Sequence, residues 1–260
     1  MDGHFLGRGG SLKEILDVKS LSRQFGGLLA LDDITFTLRE GEIVGLIGPN
    51  GAGKTTLVNS VTGVHRATAG QITFSERRIE GLKSHRISRM GISRTFQVVQ
   101  PFPRMSVLEN VAAGSLFAGH ASTPNEAKRL AQEHLAFVGL DREAEKSASV
   151  LTLAGRKRLE LAKSLAMRPR LLMLDEVNAG LNPAEIDAAL NLIRTIADRG
   201  VTIVVIEHLM RVVMNVSTRV LVLNQGKLIA DAPPQEVVKN HQVIEAYLGK
   251  RYASAMKDAR

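Results

Sequence analysis

Gly48-Pro49-Asn50-Gly51-Ala52-Gly53-Lys54-Thr55 constrains this chain more than any other stretch. It has the spacing of a phosphate-binding loop: Gly, four residues, Gly, Lys, then Ser or Thr. At average residue usage a match in a chain of this length arises by chance roughly once in a hundred chains. Its context adds weight. Glu42 to Ile47 is a compact apolar run that reads as a buried strand, and Thr55 to Val61 has a helical pattern. Glycines let successive backbone N–H groups turn inward around a phosphate. The helix start behind them adds partial positive charge. Gly48, Pro49, Asn50, Gly51, Ala52, Gly53, Lys54, Thr55 and Thr56 are therefore candidate nucleotide contacts. Lys54 supplies a mobile cation for the β- and γ-phosphates, and the Thr55 hydroxyl a ligand for Mg²⁺.

The chain around this loop reads as α/β. Ile15 to Leu38 reads as short strands broken at Phe25-Gly26-Gly27, with period-two alternation from Asp33 to Leu38. Leu171 to Leu174, Val201 to Ile206 and Val220 to Leu223 are further apolar strands. Helices start at Ser106-Val107-Leu108-Glu109, Thr123-Pro124-Asn125-Glu126 and Asn182-Pro183-Ala184-Glu185, each with a capping residue and an acid three positions on. Ala127, Leu130, Ala131, Leu135 and Val138 form one buried stripe. Ile186, Ala189, Leu190, Ile193 and Ala197 form another. Strands separated by helices imply a parallel sheet with crossover helices. The expected fold is an α/β phosphate-loop NTPase core with a mainly parallel sheet, an N-terminal antiparallel β part and an inserted helical lobe. The expected division is a flexible tail over 1–14, a core over 15–97 and 168–249, a helical lobe over about 98–167, and a basic tail over 250–260.

Composition narrows the chemistry. Of 260 residues none is Cys, which excludes disulfide scaffolds, cysteine-ligated metal and cysteine nucleophiles. The formal net charge of +8 suits a phosphorylated ligand, a nucleic acid or an anionic surface. The basic residues Arg77, Arg78, Lys83, Arg86, Arg89 and Arg94 are not interleaved with aromatics and Trp is absent, which argues against base stacking. No run approaches the ~18–20 apolar residues of a membrane span. Met1 to His4 lacks a secretory pattern. The expectation is a cytoplasmic protein that meets a membrane through partners.

A phosphate loop indicates a nucleotide without specifying a reaction. Leu171-Leu172-Met173-Leu174-Asp175-Glu176 supplies the rest. A buried strand ends in two carboxylates at the sheet edge where ligands bind in open α/β sheets. Asp175 orients Mg²⁺ and Glu176 polarises attacking water as general base. The strand 201–206 runs into Glu207-His208, so His208 reaches the same edge, within hydrogen-bonding range of a γ-phosphate.

Together these residues resemble the nucleotide-binding subunit of an ATP-binding cassette transporter, from about Ile15 to Leu248. The order of phosphate loop, Gln97, helical lobe, Asp175-Glu176 and His208 carries the likeness. The resemblance implies that Phe25 stacks on adenine. It also implies that Gln97 contacts Mg²⁺ or the attacking water and links the site to the membrane partner. The family's Leu-Ser-Gly-Gly-Gln segment reads here Leu151-Thr152-Leu153-Ala154-Gly155, with register set by Arg158, Pro169 and Asp175. Thr152 keeps a hydroxyl for the γ-phosphate, and Thr152, Ala154 and Gly155 are placed against ATP by the likeness. Val177, where Pro is usual, and Asn182, where many members have Asp, are further departures.

Phe25-Gly26-Gly27-Leu28, Gly91 to Gln97, Ala179 to Pro183 and Ala246-Tyr247-Leu248-Gly249 look like the branched-chain amino acid uptake branch. That branch implies two permease subunits, a second similar ATPase or a second copy of this chain, and a periplasmic binding protein, with no nucleic acid. The implied location is the inner face of the cell membrane. ATP would sit between the phosphate loop of one cassette and the Thr152 segment of the other, and residues 98–105 would touch the permease. Two other readings stand beside it: a cassette ATPase acting on nucleic acid or the ribosome, and a catalytically weak assembly subunit of a heterodimer.

Overall fold

The computed structural model describes residues 13–96 and 101–249. Among them the first half runs β1 (Glu14–Phe25), β2 (Leu28–Arg39), β3 (Ile43–Ile47), α1 (Lys54–Val61), β4 (Ala69–Phe74), β5 (Arg77–Arg78), α2 (Ser84–Arg89), β6 (Ile92–Arg94), α3 (Val107–Ala118) and α4 (Pro124–Val138). The second half runs α5 (Leu153–Ala166), β7 (Leu171–Asp175), α6 (Pro183–Asp198), β8 (Thr202–Ile206), α7 (Met210–Val216), β9 (Arg219–Asn224), β10 (Lys227–Ala232), α8 (Pro234–Val237) and α9 (His241–Leu248). No helix among them is long and apolar enough to cross a membrane.

Two sheets result. One is four-stranded and antiparallel, in the order β2-β1-β4-β5. The other has the order β10-β9-β3-β8-β7-β6, with β9, β3, β8, β7 and β6 parallel and β10 antiparallel at one edge. Alternation dictates the first: Leu31, Ile34, Phe36 and Leu38 of β2 point into the core while Thr35 is exposed. The sequence suggests several short strands over 15–38, whereas the structure builds two of 12 residues each. Register shifts along β1 absorb the irregular pattern as bulges rather than ending the strand. In the second sheet β3, β7 and β8 are buried at every position, because helices cover one face and α1 with the antiparallel sheet covers the other.

The core lies on both sides of the parallel sheet. On one side Leu57, Val58 and Val61 of α1 pack with Val44, Leu46 and the inward residues of β1, β2 and β4. On the other, α3, α4, α5 and α6 pack on Leu172, Leu174, Ile203 and Val205. The helix starts form as their sequences dictate. Ser106 and Asn182 each close a capping box, with Glu109 and Glu185, and Thr123 Oγ1 accepts from Glu126 N–H at 3.2 Å. The buried face of α4 is Ala127, Leu130, Ala131, Leu135 and Val138. Leu135 is fully buried, so truncating it to Ala costs about 2–5 kcal/mol. In α6 the buried line is Leu190, Ile193 and Ile196, with Ile186, Ala189 and Ala197 at its flank. The larger Ile196 takes the inward place that periodicity assigned to Ala197.

Candidate active site

The phosphate loop leaves the C-terminal end of β3, a strand flanked by β8 and β9 near the middle of the parallel sheet. Two glycines are required there. Gly48 has φ +153°, and a Cβ on it would lie 2.2 Å from the Leu223 carbonyl oxygen. Gly53 has φ +106°, and its Cβ would meet the Ala30 carbonyl oxygen at 2.8 Å. The loop is tied down from both sides. Gly226 N–H donates to Ala52 O at 3.0 Å, and Asp32 N–H to Gly226 O at 2.8 Å. The first turn of α1 contains no acid, so nothing there neutralises its positive end. Lys54 Nζ donates to Gly48 O at 2.6 Å and Pro49 O at 3.1 Å. Burial pulls Lys54 below its ordinary value, with the charges of Glu176 and Asp175 opposing.

A cleft of about 750 Å³ runs along this loop. It brings together Phe25, Asn50 to Thr56, Asp175 and Glu176, residues drawn from three separate stretches of chain. Phe25 stands 37% exposed at the mouth, edge-on to His65 at 5.2 Å, with the Arg23 guanidinium 4.3 Å from its ring centre. Thr55 and Asp175 face this cleft with hard oxygen donors. Among the described residues no three His, Cys, Asp or Glu gather as a metal site. One hydroxyl and one carboxylate fit a small hard cation that takes its other ligands from phosphate and water.

Asp175 ends β7 and is nearly buried. Its backbone N–H donates to Thr95 Oγ1 at 3.0 Å. Arg94 Nη2 lies 3.3 Å from Asp175 Oδ2, and Arg94 Nη1 donates to Asn59 Oδ1 at 2.6 Å. Arg94 thus bridges β7 and α1. Burial raises the Asp175 carboxyl above the ordinary range, Arg94 and Lys54 pull it down, and Glu176 pushes it up.

Glu176 follows with φ +48°, an uncommon conformation for a residue other than Gly. Its N–H donates to Ile206 O at 2.9 Å, so β8 holds it. His208 Nδ1 lies 3.6 Å from Glu176 Oε1. A second hollow beside the loop is lined by Gly48, Pro49, Asn50, Glu176, His208 and Tyr247.

Thr152, Ala154 and Gly155 do not line the cleft of their own chain. Thr152 caps α5, its Oγ1 accepting from Gly155 N–H at 3.1 Å. Ala154 lines a different cavity, of about 500 Å³, between α4, α5 and α6. Gln97 lies outside the described residues, as do positions 98–100 of the stretch expected to face the permease.

Several neighbours of the site escape a reading of motifs. Arg94 and Asn59 are brought together by packing alone. Glu207 is fully buried, and its Oε1 accepts from Asn178 N–H at 3.1 Å and Asn178 Nδ2 at 2.9 Å. A carboxylate directly after an apolar strand was the one sequence signal for it. Tyr247 belongs to the Ala246 to Gly249 stretch that carries the resemblance, but nothing in the sequence places it beside the phosphate loop.

Comparison with known proteins agrees with this geometry. The family model described as ABC transporter matches residues 31–179, and one described as branched-chain amino acid ATP-binding cassette transporter matches residues 227–253. The chain is 44% identical to the high-affinity branched-chain amino acid transport ATP-binding protein LivG of Salmonella typhimurium, over 91% of this chain and 98% of that one. It is 40% identical to the BraF protein of the same description from Pseudomonas aeruginosa, over 92% and 99%. In structure it resembles a nucleotide-free ATP-binding cassette from an ABC transporter, with TM-score 0.84 and 28% identity over 92% of this chain and 100% of that one. An ABC transporter cassette in its ADP conformation gives a TM-score of 0.83 at 28% identity, over 92% and 100%. With a phosphate loop, an acidic strand end and a helical segment arranged as in these proteins, the chain belongs to the ABC transporter family and is one of its ATP-hydrolysing cassettes.

Proposed function

We propose that this cassette drives an importer for branched-chain amino acids or a related small polar solute. It would work with two permease subunits, a periplasmic binding protein, and a second cassette that is similar or identical to it. The proposed domain spans 15–249, with the core and helical lobe divided as expected from the sequence. It sits on the inner face of the membrane, held there by the permeases. The observation that carries the mechanism is the cleft itself, which gathers Phe25, Lys54, Thr55, Asp175 and Glu176. The solute class rests on the names of the relatives and on the C-terminal match over 227–253. Those near full-length relatives favour transport over a role on nucleic acid or the ribosome.

ATP binds with adenine against Phe25 and its phosphates in the loop from Gly48 to Thr56. Lys54 exchanges its bonds to Gly48 and Pro49 for β- and γ-phosphate oxygens. Mg²⁺, when bound through Thr55 Oγ1, Asp175 and Gln97, supplies charge neutralisation on the phosphates. Glu176 takes a proton from water while the water oxygen bonds to the γ-phosphorus. The bond from that phosphorus to the β–γ bridging oxygen breaks, and the charge stays on ADP. His208 donates to the γ-phosphate. Thr152, Ala154 and Gly155 face the γ-phosphate of the opposite cassette, which accounts for their absence from their own cleft. ATP thus favours the closed pair over the open one.

Two measurements test this. Lys54→Ala should abolish tight ATP binding, and unchanged affinity would remove the loop from its role. The assembled importer should hydrolyse ATP faster with leucine-loaded binding protein than with the unloaded protein. Equal rates with a branched-chain solute would discard the solute class and leave the cassette mechanism standing.

A further inference from the structure

Glu176 holds a left-handed backbone conformation at φ +48°, so something must keep it there. Besides the local bond from Ala179 N–H to the Glu176 backbone oxygen at 3.2 Å, three contacts from other elements act on this turn. Ile206 O receives the Glu176 N–H at 2.9 Å. Lys157 Nζ donates to the Glu176 backbone oxygen at 2.9 Å. Two residues on, Asn178 is clamped by the buried Glu207 carboxylate through both its backbone and its side-chain N–H groups. The first and third contacts belong to the core strand β8 and its end. The second comes from α5.

Lys157 is unlike an ordinary surface lysine. It is half-buried, and its stem shares a cavity with Leu161, Leu174, Val177 and Leu181. Burial lowers its pKa, and the charges of Glu207 and Glu176 oppose that shift. It lies on the helix that Thr152 caps, five positions on, about 7.5 Å along the axis at 1.5 Å per residue. A displacement of the start of α5 is therefore delivered within two turns to the carbonyl of Glu176.

We propose that Lys157 is a positioning residue for Glu176, joining the Thr152 segment to the carboxylate of its own chain's site. The inference rests on the reading of Glu176 as base and of the Thr152 segment as facing the opposite cassette. Under that reading each chain's Thr152 segment serves one ATP and its Glu176 the other. Lys157 is then a direct link between the two sites, contained in one subunit. ATP seated against Thr152 sets α5, α5 sets Lys157, and Lys157 sets the Glu176 turn for the second ATP.

The test measures kcat and KM for MgATP separately in the full-length chain assembled with its companion subunits. Lys157→Met keeps the stem in its apolar cavity and loses the donor. It should lower kcat about tenfold and leave KM within about twofold, because the phosphate loop is untouched. Lys157→Arg, which restores a donor, should recover most of kcat. Should Lys157→Met fold poorly, Lys157→Leu, which also lacks a donor, carries the same comparison. Unchanged kcat in Lys157→Met overturns the proposal, as does a loss that Lys157→Arg fails to recover or a matching rise in KM. Glu176→Gln, run alongside, separates the two levels: if it too turns over normally, the base assignment has failed and not the link alone.

Discussion

The Arg94 guanidinium lies 3.3 Å from Asp175 Oδ2, with the two side chains 11% and 9% exposed. A cation is thus held in place beside the carboxylate assigned to the metal. Burial is the largest cause raising Asp175, the charge of Glu176 adds to it, and Arg94 is the largest influence opposing them. Arg94 also reaches Asn59 on α1, so one side chain joins the acidic strand end to the helix behind the phosphate loop.

Arg94→Met removes that compensation. The Asp175 carboxyl should then ionise at higher pH, since a neighbouring opposite charge is worth about 1–3 pKa units. The acidic limb of the kcat/KM profile for MgATP should move up by about one pH unit or more. A limb in its original place would show that Arg94 does not govern Asp175.

Glu176→Gln keeps the side-chain size and loses the base. General base catalysis contributes about 10²–10⁴-fold, so turnover should fall within that range while ATP binding persists. Nucleotide binding by fluorescence titration, set beside phosphate release, checks both halves.

Glu207 makes stability depend on pH. Burial, the largest cause, raises its carboxyl; the two hydrogen bonds from Asn178 and the charge of His208 oppose this, and the charge of Glu176 adds to it. The folded value therefore lies above the unfolded one of about 4.3. Its contribution is full below the unfolded value and is lost as pH rises through the folded one. Glu207→Gln stays neutral and keeps an oxygen for Asn178. Its melting temperature should exceed that of the parent at pH 8, by roughly 2–4 °C for each kcal/mol regained, and the gain should shrink toward pH 5. A gain that does not vary with pH would exclude ionisation of Glu207 as its source.

Thr152 combines an observed role with a proposed one. Its hydroxyl caps α5, and the proposed mechanism sets it against the γ-phosphate of the opposite cassette. Asp caps at least as well as Thr, so Thr152→Asp should leave stability within about 0.5 kcal/mol. Its charge would repel the phosphate by about 4 kcal/mol at 4 Å and an effective dielectric of 20. ATP turnover should fall at least about 100-fold with an unchanged melting curve. Full turnover in this variant would remove Thr152 from the nucleotide site.

The sequence by itself determined the features that are local. Gly48 to Thr55 encodes a loop because its glycines permit backbone turns barred to other residues. The helix starts at Ser106, Thr123 and Asn182 follow from side chains that bond the next turn, and the face of α4 follows from spacing alone. Asp175 and Glu176 were legible because an apolar run ending in two acids has few other uses. Only the tertiary structure decided what meets what. Arg94 finds Asp175 across 81 positions, Glu207 finds Asn178 across 29, and Lys157 reaches the Glu176 carbonyl across 19. None of these pairs has a spacing that could be read in advance. Each exists because parallel strands bring distant segments to one edge of the sheet, and because buried polar groups must find partners there once water is excluded.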